Sequence, residues 1–176
     1  LKNEALFQDF WNTVLDLGRI PANDEFDFSE ELRRIAGSHA KAFKALTDLY
    51  GEEEFRKAES KRRDDLIVYF ALGLFAKRQT QSKMPNSLKR DVKAFFTNIT
   101  NAIDEAREVL FSVGDPEVIE NAAIAAYADF KCGEFNEGHS YIFRKELFSE
   151  APKELRIYVG CATQLYGDLD EIQLIK

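Results

Sequence analysis

A chain of 176 residues is long enough for one hydrophobic core with, at most, a small appendage. Its hydrophobic content of 45%, with 15 Phe and only 4 Pro, argues against intrinsic disorder, and no apolar run approaches the ~20 residues that span a bilayer. The net charge of −7 argues against sequence-independent nucleic-acid binding by the molecule as a whole.

The first third of the chain has the apolar spacing of helices. The pattern predicts a helix that ends at Gly18, a loop over 19–28, and two further helices that end at Gly37 and Gly51. The segment 52–77 is interpreted as one broken helix or two abutting helices, because its polar first half leads into an apolar second half.

The remainder is also predicted to be mostly helical. We expect a helix from Pro85, a bend near 98–101, and a new helix capped by Asp115 with Pro116 at its first position. The segment 133–138 is predicted to be a loop. A short strand should follow over 141–143, and a last helix should run from Ala151-Pro152 to Gly167.

These patterns predict a mainly α fold: one domain over 1–176, with a single core of eight or nine helices and a minor β element near residues 140–144 and 172–176. The last residues, 172–176, alternate like the beginning of a strand, and the sequence then stops. A strand needs neighbouring strands to satisfy its backbone hydrogen-bonding groups. We therefore expect the chain to be a fragment of a longer polypeptide.

Few residues suggest catalytic chemistry. Cys132 and Cys161 lack zinc-ligand spacing and are interpreted as buried thiols in a reducing compartment, which favours a cytoplasmic location. His39 is assigned a capping or surface role. Asp64 and Asp65 diverge by ~100° on a helix, so they are expected to be solvated. Asp168, Asp170 and Glu171 are given the same role. We predict no catalytic residue, no metal site and no bound cofactor in this chain.

The charge is segregated along the sequence. Residues 1–53 carry net −5, residues 54–93 net +6, and residues 94–176 net −8. A basic middle segment can be a solvated helix surface, or it can contact phosphate or an acidic protein surface. The candidate DNA- or partner-contact residues are Arg62, Arg63, Lys77, Arg78, Lys89, Arg90 and Lys93.

Several stretches resemble the C-terminal region of bacterial DNA phosphorothioation-associated methyltransferases. The opening stretch is Leu17-Gly18-Arg19-Ile20-Pro21 with Asp24-Glu25-Phe26, and the closing one is Tyr158-Val159-Gly160-Cys161 with Tyr166-Gly167-Asp168. Between them lie Leu49-Tyr50-Gly51, Arg63-Asp64-Asp65-Leu66-Ile67-Val68-Tyr69, Leu88-Lys89-Arg90-Asp91-Val92-Lys93-Ala94-Phe95-Phe96 and Gly114-Asp115-Pro116-Glu117-Val118-Ile119. The resemblance runs through nearly the whole chain, in order.

The resemblance implies a setting in bacterial DNA modification and restriction. In that family a methyltransferase domain that binds S-adenosylmethionine lies upstream of this region, and the resemblance implies the same here. This chain itself has no Gly-rich strand-to-helix turn for such a cofactor. The implied partners are that domain, DNA and other proteins of the phosphorothioation system; none is a membrane. An alternative is a non-enzymatic interaction module whose basic segment 54–93 docks an acidic protein surface.

Overall fold

The computed structural model describes residues 2–77, 84–167 and 172–176, and it confirms a mainly helical fold with a minor β element. The helices in this described part are α1 Lys2–Leu17, α2 Ser29–Ala36, α3 His39–Tyr50, α4 Glu53–Phe75, α5 Asn86–Phe96, α6 Ile99–Ser112, α7 Pro116–Phe130 and α8 Lys153–Tyr166. The strands are β1 Glu134–Asn136, β2 Ser140–Arg144 and β3 Leu174–Ile175, and short 3-10 helices lie at Asn23–Glu25 and Lys145–Glu150.

The chain divides into two compact units, residues 1–64 and 65–176, and the division falls inside α4. That residues 1–176 form one domain stays a prediction.

The first unit has an aromatic-rich core built by α1, α2 and α3. Phe10, Val14 and Leu32 are completely buried, and Trp11 is nearly so. The indole N–H of Trp11 donates to the Glu54 carboxylate at 3.2 Å, so the polar edge of this ring is satisfied while its body is packed. The core therefore depends on the apolar stripe of α1.

A polar network holds the connection between α1 and α2. Arg19 donates to both carboxylate oxygens of Glu25 at 2.7 and 2.8 Å, and the Ala22 N–H donates to the same carboxylate at 2.9 Å. His39 is buried, with Nδ1 2.8 Å from the Pro21 carbonyl oxygen and Nε2 2.7 Å from the Ser29 hydroxyl. The capping or surface role expected for His39 is thus wrong, and Ser38 caps α3 instead.

The second unit has a helical core around the apolar half of α4. Ile67, Phe70 and Ala71 are completely buried there, together with Ile157 of α8. Helix α8 lies close to α4 at Gly160, where an added Cβ would come within 2.8 Å of both Leu72 methyl carbons.

A small antiparallel sheet completes the second unit, in the order β1-β2-β3. Phe143 of β2 is opposite Ile175 of β3, and Tyr141 is opposite Phe135 of β1. Tyr141 and Phe143 point to one buried face, as the alternation along β2 requires. The strand predictions near 140–144 and 172–176 are therefore confirmed.

Three further expectations about this fold are wrong. Segment 52–77 holds one continuous helix, α4, because its polar and apolar halves keep the same backbone hydrogen-bond pattern. The loop expected over 133–138 contains β1, which pairs with β2. Asp65 is not simply solvated, since Arg156 of α8 donates to it at 2.7 Å.

Candidate binding surfaces

The basic residues singled out in the sequence fall in different surroundings. Arg62 and Arg63 lie in the first unit, half-buried on α4, and both engage other groups of the protein. The Cβ of Arg62 lies close to Gly18, where a Cβ on the glycine would approach to 2.8 Å. Lys77 is exposed just after α4, and Arg78 lies outside the described residues.

Two basic residues of α5 lie together. Lys89 and Lys93 are one helical turn apart, both are exposed, and both line a surface depression of about 440 Å³. Arg90 is half-buried and is not part of this lining, because it points about 100° away around the helix. The depression thus brings together two of the three basic residues predicted on this helix.

The local fold fixes the position of this lysine pair. Val92 and Phe96 are the buried apolar side chains of α5, Val92 also lines the depression, and Thr97 ends the helix with a positive φ of 71°. Asn98 then caps α6, accepting the Asn101 N–H on its side chain at 2.9 Å. The Asn101 side-chain amide donates back to the Phe96 carbonyl at 3.1 Å. Two hydrogen bonds that involve Asn101 therefore stabilise the corner between α5 and α6.

The basic side chains of α5 and those at the start of α4 differ in whether they form ion pairs. On α4, Arg56 pairs with Glu52 at 2.6 Å and Lys57 with Glu53 at 2.7 Å. The Lys57 hydrogen bond and charge lower the pKa of the Glu53 carboxyl. Lys89 forms no ion pair with any described residue, and neither does Lys93. The positive charges of Lys89 and Lys93 are therefore available to a ligand, whereas those of Arg56 and Lys57 are compensated locally.

The two cysteines lie in different surroundings. Cys132 is exposed rather than buried, and Cys161 is half-buried, where burial raises the pKa of its thiol. Within the described ranges, no group of three or more His, Cys, Asp and Glu residues could hold a metal ion. No helix among them is long and apolar enough to cross a bilayer.

A second concave surface was missed by sequence reasoning. It is a cavity of about 480 Å³ in the second unit, lined by α7, α8, the β1–β2 hairpin and β3. The residues that form it, such as Glu120 and Tyr158, are spread over more than 60 positions, so no local motif could have revealed it.

Comparison with known proteins adds no further assignment. No family model, no curated protein and no solved structure matches this chain.

Proposed function

We propose that this chain is an accessory helical region of a bacterial DNA-modification methyltransferase, and that the α5 surface at Lys89 and Lys93 contacts DNA phosphate. The sequence resemblance supports the setting. The lysine pair on the depression between α5 and α6 supports the contact, and it is the single structural observation that carries the proposed DNA contact.

The chemistry of the pair suits a phosphate backbone. Two lysines one turn apart place their ammonium groups within reach of neighbouring phosphates, and each released counterion adds to the affinity at low salt. Thr97 and Asn98 add polar groups at the same depression, beside the first turn of α6. Since α-helix N-termini favour anions, the orientation of α6 is compatible with a phosphate ligand.

In this proposal the chemistry of methyl transfer belongs to an upstream domain that binds S-adenosylmethionine. The role of this chain is to hold that domain on DNA, and a cytoplasmic location follows from the substrate. The competing function is a protein-interaction module in which the basic segment 54–93 docks an acidic partner.

Duplex binding by matched charge-reversal variants tests the proposal. The Lys89→Glu/Lys93→Glu variant should weaken the binding of a fluorescent duplex at low salt by on the order of tenfold or more, measured by anisotropy. The control is Lys41→Glu/Lys44→Glu, which reverses the same number of exposed charges on α3. It should change the dissociation constant by no more than about twofold.

Two outcomes would contradict DNA contact through α5. One is the absence of duplex binding at low salt, which would favour the acidic-partner function. The other is an equal loss of affinity in both double variants, which would mean that only net charge matters.

A further inference from the structure

The cavity of about 480 Å³ in the second unit has the size of a small-molecule site. Its walls come from four separate elements: the beginning of α7, the β1–β2 hairpin, the middle of α8 and the end of β3. Because the walls belong to packed elements, the shape of the cavity exists without a ligand.

Aromatic rings form much of the lining. Phe135, Tyr141, Phe143 and Tyr158 all contribute, and Tyr158 is 51% exposed. Tyr141 stacks on Phe143 with ring centroids 5.0 Å apart, and Phe135 meets Tyr141 edge-on at 6.1 Å. Burial raises the pKa of the Tyr141 phenol, so this ring is neutral at physiological pH. Such rings attract cations as well as apolar groups.

A fixed carboxylate lies at the same cavity. Glu120 is half-buried on α7, and one of its oxygens accepts the Gly138 N–H of the hairpin turn at 3.0 Å. This bond positions the carboxylate, and Glu120 forms no ion pair with any residue that the structure describes. Among the described residues of the lining, Lys176 is the other one with a charged side chain, and it is exposed.

We propose that this cavity binds a small organic cation: a compound with an aromatic or aliphatic body and an ammonium group. The body packs against the aromatic and aliphatic walls, and the ammonium group pairs with Glu120. The site lies on different residues from the proposed DNA contact, so the two proposals fail or succeed separately.

Three probes with one body and different head groups test the charge requirement. Phenethylammonium, 2-phenylethanol and 3-phenylpropionate are titrated into the isotope-labelled full chain and followed by NMR shifts at Gly138, His139 and Val159. The ammonium compound should bind about tenfold more tightly than the alcohol, and the anion should bind least. Equal binding of ammonium and alcohol, tighter binding of the anion, or no shift at these residues at millimolar concentrations would overturn the proposal.

A pair of isosteric variants then tests the carboxylate. Glu120→Gln keeps an oxygen for the Gly138 N–H but removes the charge, so the preference for the ammonium compound over the alcohol should fall to about twofold or less. Glu117→Gln removes an equal charge from the same helix, on an exposed residue outside the lining, and should retain the preference. An unchanged preference in Glu120→Gln would overturn the assignment. If that variant fails to fold, the three-probe comparison on the unaltered protein still decides.

Discussion

Arg19 and Glu25 show how a polar pair can stabilise a loop rather than an active site. Their side chains are 9% and 12% exposed, and two short hydrogen bonds join them. The same carboxylate also accepts the Ala22 N–H, so Glu25 organises the turn between α1 and α2. The stretch from Arg19 to Glu25 therefore has a structural role in the first unit.

Removal of the Glu25 charge should strongly destabilise the protein. Glu25→Gln removes the carboxylate charge that the buried Arg19 guanidinium binds through two hydrogen bonds, so the free energy of unfolding should fall by about 3 kcal/mol in a denaturant titration. Glu31→Gln is the control, since Glu31 pairs with Arg34 at 3.8 Å in an exposed position. It should cost about 0.5 kcal/mol or less. Similar losses for both would show that the Arg19 pair contributes no more than a surface pair.

The two cysteines should differ in reactivity. Burial raises the pKa of the Cys161 thiol, so less of it is thiolate at pH 8, and its partial burial also limits access. Cys132 is exposed. Iodoacetamide should therefore modify Cys132 first, with Cys161 about tenfold slower, as measured by peptide mass spectrometry of timed samples. Equal rates at pH 8 would contradict the described surroundings of Cys161.

At the scale of elements, Gly160 permits the close approach of α8 to α4. A Cβ at this position would lie 2.8 Å from both Leu72 methyl carbons, so Leu72 would have to change its rotamer. The approach is supported by the Arg156–Asp65 pair at 2.7 Å and by the bond from the Gln164 amide to the Leu72 carbonyl. The lack of a side chain at Gly160 thus permits the close packing of α8 on α4, and two polar contacts stabilise it.

A pair of glycine substitutions tests this packing. Gly160→Ala should lower the free energy of unfolding by about 1–2 kcal/mol, because overpacking outweighs the gain in helix propensity. Gly73→Ala, on α4, meets no atom within 4 Å and should instead raise it by about 0.5–1 kcal/mol. Thermal or urea unfolding measures both. A stabilising Gly160→Ala would contradict the close approach.

Local signals in the sequence predicted most of the elements but not their partners. Asp115 caps α7 through the Glu117 N–H with Pro116 at the first position, as expected, because capping depends on adjacent residues. The three-residue β1 could not be recognised alone, since its identity as a strand comes from pairing with β2. Asp65 and Arg156 are 91 positions apart, so nothing local indicated their contact.

The sequence predicted one of the two candidate sites in part and the other not at all. Spacing predicted that Lys89, Arg90 and Lys93 share one helix face, and only Lys89 and Lys93 of the three line the same depression. That they lack ion pairs among the described residues, whereas Arg56 and Lys57 have them, required the structure. The Glu120 cavity required it entirely, because four distant segments form its walls.

At the scale of the whole molecule, the charge pattern controls any DNA contact. A net charge of −7 repels a polyanion, while residues 54–93 carry +6. Binding should therefore be confined to the α5 surface at Lys89 and Lys93 and should depend steeply on salt. The affinity of the chain for a duplex is expected to be a balance between one attractive surface and the repulsion of the remainder.

The salt dependence of duplex affinity tests this account most directly. The slope of log K against log salt should become shallower by about 2 in Lys89→Ala/Lys93→Ala, because two phosphate contacts are lost. The matched Lys41→Ala/Lys44→Ala variant should retain the original slope. An unchanged slope in the α5 variant, or an equal change in both variants, would contradict DNA contact through α5.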